Sequence, residues 1–215
     1  MVALGGIFIF SFMLGLSGAI MPGPMLVVVV GQTPRRGGIA GPAVVLGHGV
    51  LETLLVAAVI LGLADFFSSS AVLTTVALAG GALLLYMGVD MLRSAGRLSL
   101  AGETASSAKG AVNVHPFWAG ILTSLANPYW TLWWATIGLG YLLIARKSGP
   151  AGLAAFLAGH ILADLVWYSA VSVLLSRGKH WLSDSLYRGL IRCCAVILVF
   201  FAFYFGWYGF KGLAV

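Results

Sequence analysis

Two histidine–carboxylate pairs carry the chemistry latent in this 215-residue chain. His48 precedes Glu52 by four residues, and His160 precedes Asp164 by four. Residues four apart share one face of a helix, so each pair sets an imidazole beside a carboxylate. Such a pair can relay a proton, because imidazole titrates near neutral pH. Two such pairs facing one interior would also suit a transition metal. Both pairs fall in long apolar runs, where an ionised carboxylate is costly unless paired or hydrated. A third acid in such a run, Asp90, lies three residues before Arg93 and reads as half of an interfacial ion pair.

The elements that must position these groups are membrane helices. Hydrophobic residues make up 60% of the chain and charged ones 8%, against roughly a quarter charged in soluble domains; the mean hydropathy is +1.03. One bilayer crossing needs about 20 apolar helical residues, and six such runs fit, near 5–31, 39–63, 71–92, 116–144, 151–175 and 189–211. Ten-residue segments of strand-like alternation are absent, which argues against an outer-membrane barrel. The first residues lack the Lys or Arg of a secretory leader, so the first run is read as a retained span. Cys193 and Cys194 are adjacent and no C-x-x-C occurs, so they read as small packing residues.

Two of the spans are interrupted. Pro22-Gly23-Pro24 breaks the first and Asn127-Pro128 the fourth, since proline lacks an N–H and clashes with the preceding turn. A broken helix exposes N–H groups at the start of one half and C=O groups at the end of the other. Those ends suit the carboxylate and the ammonium of an amino acid. Asn127 can cap its half-helix, and Trp130 and Trp134, on one face beyond the break, can wall a pocket or contact a cation if they do not face lipid. Between the first two spans, Gln32 to Gly38 reads as a short basic turn, and Pro42 falls in the first turn of the second span.

The halves repeat in register. Pro22 matches Pro128, Gly47-His48…Glu52 matches Gly159-His160…Asp164, and Tyr86-x-Gly88…Arg93 matches Tyr204-x-Gly206…Lys211. A three-span unit is odd, so its second copy lies upside down, as in secondary transporters built from inverted repeats. The expected fold is therefore all-α, with six transmembrane helices as two inverted three-helix repeats at 1–92 and 116–215. A polar cytoplasmic connection, 93–115, joins them and carries Arg97, Glu103 and Lys109. Of the 12 Lys and Arg residues, nine fall in loops on one side. They are Arg35, Arg36, Arg93, Arg97, Lys109, Arg177, Lys179, Arg188 and Arg192; Arg146, Lys147 and Lys211 fall on the other. The positive-inside rule then puts both termini outside. The net charge of +6 thus sets topology and forms no nucleic-acid stripe.

These residues resemble the lysine exporter family, the LysE/RhtB-type amino-acid translocators. The carriers are Gly15-Leu16-Ser17-Gly18-Ala19 leading into Pro22-Gly23-Pro24, the basic turn Arg35-Arg36-Gly37, and Asn127-Pro128. The resemblance covers essentially the whole chain. It implies an inner-membrane carrier that exports small solutes, typically amino acids, with the proton gradient. Members usually follow the second Asn-Pro with Lys; Tyr129-Trp130 stands here, marking a separate branch.

The expectation is an exporter of small polar solutes, amino acids first, working by proton antiport. Pro22, Gly23, Pro24, Asn127, Pro128, Trp130 and Trp134 cradle the substrate, and His48, Glu52, His160 and Asp164 couple it to protons. The lipid bilayer and a small-molecule substrate are the partners, a homodimer is allowed for, and no cofactor is expected. Two alternatives stay open: a divalent-metal exporter using the same four residues, and an intramembrane enzyme or assembly protein without transport.

Overall fold

The computed structural model describes residues 4–21, 23–64, 66, 69–97, 114–178 and 183–213. Expectations placed on Pro22, Asp65, Glu103, Lys109, Lys179 and His180 lie outside the described residues, as does most of the polar connection. Among the described residues every regular element is helical. In chain order they are α1 (Leu4–Ile20), α2 (Pro24–Arg36), α3 (Ala40–Ala58), α4 (Ser70–Ser94), α5 (Pro116–Leu125), α6 (Pro128–Trp133), α7 (Leu139–Arg146), α8 (Gly149–Arg177) and α9 (Asp184–Leu213). A π turn at Val59–Leu63 extends α3, and another at Trp134–Gly138 links α6 to α7.

Proline chemistry explains where the helices start. Pro24, Pro116 and Pro128 all stand in the first turn of their helices, where the missing N–H costs nothing. The side chain of Asn127 accepts from Tyr129 N–H at 3.1 Å and caps α6, and Ser69 caps α4 by accepting from Val72 N–H at 3.4 Å.

Three boundaries differ from the sequence reading. Gln32 to Arg36 is the last part of α2, not a turn, and the chain bends only at Gly37, whose φ of 68° favours glycine. Pro34 is tolerated inside α2 because the carbonyl it leaves unpaired, that of Val30, faces the Tyr187 hydroxyl at 3.5 Å. Arg177 ends α8, and Asp184 opens α9 and pairs with Arg188 at 3.8 Å, so both belong to helices and not to the last loop. Among the described residues Asp90 forms no ion pair with Arg93.

Burial is arranged as lipid requires. Phe203, Trp207 and Phe210 on α9 are 66–68% exposed, whereas Glu52 is fully buried, with His48, His160 and Asp164 nearly so. An apolar exterior around a polar interior marks a membrane protein. Four helical runs, Pro24–Leu63, Ser70–Ser94, Gly149–Arg177 and Asp184–Leu213, are long and apolar enough to cross a bilayer, alongside the shorter apolar helices Leu4–Ile20 and Pro116–Leu125.

The helices pair in a regular way. α1 packs along α8, α3 against α5, and α4 along α9, while α2 lies against both α8 and α5. Two glycines permit the first two contacts. A Cβ at Gly159 on α8 would strike the Phe8 carbonyl of α1, and one at Gly47 on α3 would strike the Phe117 carbonyl of α5. Small residues at such crossings let backbones approach in lipid, where apolar burial drives little. Each glycine directly precedes a histidine, so each crossing also sets the depth of an imidazole.

Candidate functional site

Glu52 is the hub of the interior. It projects from α3, and four nitrogens surround one of its carboxylate oxygens, Oε1. Trp134 Nε1–H donates to it at 3.0 Å and Trp130 Nε1–H at 3.2 Å. His160 Nε2 lies 3.1 Å away and His48 Nε2 3.2 Å away. The two indoles come from the chain just past the Asn127-Pro128 break, His160 from α8, and His48 from the preceding turn of α3. Three helical segments are therefore pinned to one oxygen.

This geometry changes the pairing read from the sequence. His48 does sit against Glu52 at the i,i+4 spacing. His160 does not pair with its own Asp164 but crosses to Glu52, while His48 Nε2 also lies 3.4 Å from Asp164 Oδ2. The reason is orientation: α3 and α8 face each other across the interior, so each imidazole reaches the opposite helix. His48 Nε2 consequently bridges the two carboxylates, and a proton can pass between them through that nitrogen.

The remaining nitrogen of His48 is committed. Ser124 Oγ lies 2.7 Å from both the Gly120 carbonyl and His48 Nδ1; when its one proton goes to the carbonyl, it accepts from His48 Nδ1–H. His160 is held differently, stacked on Trp133 with ring centroids 4.7 Å apart. Its Nδ1 has no hydrogen-bond partner among the described residues, nor has Glu52 Oε2. Asp164 Oδ2 has none beyond the His48 approach.

A cavity of about 80 Å³ adjoins this cluster. Met21, Gly23, Pro24 and Met25 line it from the first break and Asn127 from the second; His48, Glu52, His160 and Asp164 complete its polar wall. Of the expected cradle residues, Gly23, Pro24, Asn127 and Trp130 lie on this cavity. Pro128 is buried beside it against Gly80, and Trp134 stands behind Glu52. Both indoles donate N–H to a carboxylate, a role the sequence reading did not include. Ser124, Trp133 and Tyr168 belong to the site and were not foreseen. Ser124 lies 76 positions from His48, and no local spacing links them.

One atom each of His48, Glu52, His160 and Asp164 can be chosen so that all lie within 4.8 Å of one another, close enough to enclose a divalent cation. Glu52 Oε1 already accepts two indole N–H groups, which leaves Oε2 as the unpartnered oxygen of that carboxylate.

Comparison with known proteins agrees with a carrier. The chain is 28% identical over 212 residues to a Bacillus subtilis (strain 168) protein named "Putative amino acid efflux protein YcgF", covering 96% of this chain and 98% of that one. It is 29% identical over 198 residues to the "Chemotactic transduction protein ChpE" of Pseudomonas aeruginosa strain PAO1, covering 90% and 94%. No solved structure matches. The family model described as LysE type translocator matches residues 16–209, a stretch that holds both helix breaks and the whole histidine–carboxylate cluster, and the chain belongs to that family.

Proposed function

We propose that this protein is a secondary exporter of small polar solutes, amino acids first among them, driven by proton antiport across the cytoplasmic membrane. One observation carries the reading: a single cavity is lined by both helix breaks and by a buried cluster able to move protons. The breaks offer helix ends for the poles of a substrate. The cluster offers carboxylates whose charge a proton can cancel, so proton and substrate can exclude each other at the same oxygens. Mutually exclusive occupancy is what antiport requires.

The architecture that supports this is a pair of inverted three-helix repeats, α1/α2 with α3 and α4, then α5 to α7 with α8 and α9. In its favour, the α1–α8 and α3–α5 contacts are equivalent under exchange of the halves, down to the glycine that precedes each histidine. The distribution of basic residues supports both termini outside and the polar connection 93–115 inside.

A divalent-metal exporter is the weaker reading, because the Bacillus relative is named for amino-acid efflux. The test is transport by purified protein in liposomes loaded with labelled amino acids. An imposed inward proton gradient should accelerate release several-fold over a protonophore control. Release that ignores the gradient, or no release of any amino acid, would overturn the proposal.

A further inference from the structure

The two breaks are not equivalent, and their difference bears on what the cavity holds. At the second break, Asn127 Oδ1 already accepts from Tyr129 N–H at 3.1 Å, so the start of α6 is satisfied from within. At the first, the N-cap residue of α2 is Gly23, which has no side chain to offer, and no side-chain cap is made. Pro24 contributes no N–H, and the first intrahelical bond is donated by Val27 to Gly23 O at 3.2 Å. The N–H groups of Met25 and Leu26 therefore have no acceptor within the helix. Gly23, Pro24 and Met25 all line the cavity.

The same cavity is lined by carboxylates with oxygens that lack donors. Glu52 Oε2 is fully buried and unpartnered, and Asp164 Oδ2 has only the 3.4 Å approach of His48. Gly18 and Ala19, at the carbonyl end of α1, also line it. One cavity thus combines the N-terminal end of α2 with unpartnered carboxylate oxygens. Its lining also includes the apolar Leu84, Phe201 and Phe205.

Deepening the exporter reading and resting on it, we infer that the substrate is a small neutral amino acid. Its carboxylate is held at the N-terminus of α2, its ammonium between Glu52 and Asp164, and its side chain against Leu84, Phe201 and Phe205. Charge balance sets the class. The lining sets two carboxylates against two imidazoles, with no Lys or Arg; two imidazolium charges would balance the carboxylates, and a zwitterion keeps that balance. The second charge of lysine or glutamate would be buried without a partner. Volume bears on the size: a cavity of about 80 Å³ is several times what one water needs, roughly 10–15 Å³, and suits a small amino acid such as alanine or serine.

The test is counterflow of labelled alanine into liposomes containing the full-length protein, with a panel of competitors. Unlabelled alanine and serine should inhibit. Alaninamide lacks the carboxylate and N-acetylalanine the ammonium; each should inhibit at least tenfold more weakly, as should lysine, glutamate and tryptophan. Gly23 supplies a second readout. Its φ of −148° suits any residue, and a Cβ there meets nothing closer than 3.8 Å. Gly23→Asp places a carboxylate on the free N–H groups of α2 and so competes with the substrate's own. Its KM for alanine should exceed that of Gly23→Ala at least tenfold, while it melts no lower, because a self-capped helix is not weakened. Equal KM values for the two variants, or equal inhibition by lysine or alaninamide, would overturn this assignment and leave the exporter reading standing. Absence of both alanine counterflow and any alanine-induced rise in melting temperature would overturn both.

Discussion

Replacing Trp134 by Phe removes one N–H donor from Glu52 and leaves an aromatic ring in its place. The lost bond is 3.0 Å long and fully buried at its acceptor. A hydrogen bond to a charged group contributes about 1.5–3 kcal/mol, against about 0.5–1.5 kcal/mol for a neutral one. The smaller ring also forfeits packing against Phe156 and His160, whose ring centroids lie 6.0 and 5.8 Å from Trp134. That loss is the same whether residue 52 is charged or not, so a double-mutant cycle removes it. Glu52→Gln keeps the shape and deletes the charge. The coupling between Trp134→Phe and Glu52→Gln should therefore be about 1–2 kcal/mol, the difference between the charged and neutral bonds. Reversible unfolding in mixed micelles, followed by circular dichroism, measures all four proteins. A coupling below about 0.5 kcal/mol, the scatter of independent sites, would show that the indole does not hold an ionised Glu52.

Further predictions follow from the same geometry. Gly47→Ala and Gly159→Ala each drive a Cβ into a carbonyl of the neighbouring helix and should each cost about 1–3 kcal/mol of stability. Gly140→Ala, which meets nothing within 4 Å, should gain up to about 1 kcal/mol; thermal melts in detergent rank the three. Asn127→Ala removes the cap of α6 and should destabilise by about 1 kcal/mol, read in the same melts. Titration of purified protein with Zn²⁺ or Mn²⁺ should give no stoichiometric heat by calorimetry. A tight one-to-one isotherm lost in Glu52→Gln would revive the metal reading.

The parts of this molecule readable from its sequence are those encoded locally. The i,i+4 spacing of His48 and Glu52 needs only a helix to become a contact, and the breaks at Pro24 and Pro128 follow from a missing N–H. The order of small residues around Gly47 and Gly159 also survives translation into structure, because each contact depends on the absence of one side chain. What could not be read depends on how helices face each other. His160 could pair with Asp164 on its own helix or with Glu52 across the interior, and only the α3–α8 geometry selects Glu52. Trp130 and Trp134 were legible as a shared face but not as donors, since an indole's N–H direction is a rotamer choice made by packing. Ser124 carried no signal, being one of many small polar residues in an apolar span. The helical course of Gln32 to Arg36 was hidden by Pro34, whose missing N–H frees the Val30 carbonyl, which the Tyr187 hydroxyl meets from far along the chain.

Antiport itself is tested most directly by the reciprocal flux. Liposomes containing the protein, loaded with alanine and a trapped pH-sensitive dye, are diluted into alanine-free medium of equal pH, with potassium and valinomycin clamping the potential. If outward alanine is exchanged for inward protons at the Glu52 cluster, the lumen acidifies as alanine leaves, and Glu52→Gln abolishes the acidification. Alanine loss with no change in lumenal pH, or with alkalinisation, would contradict proton antiport.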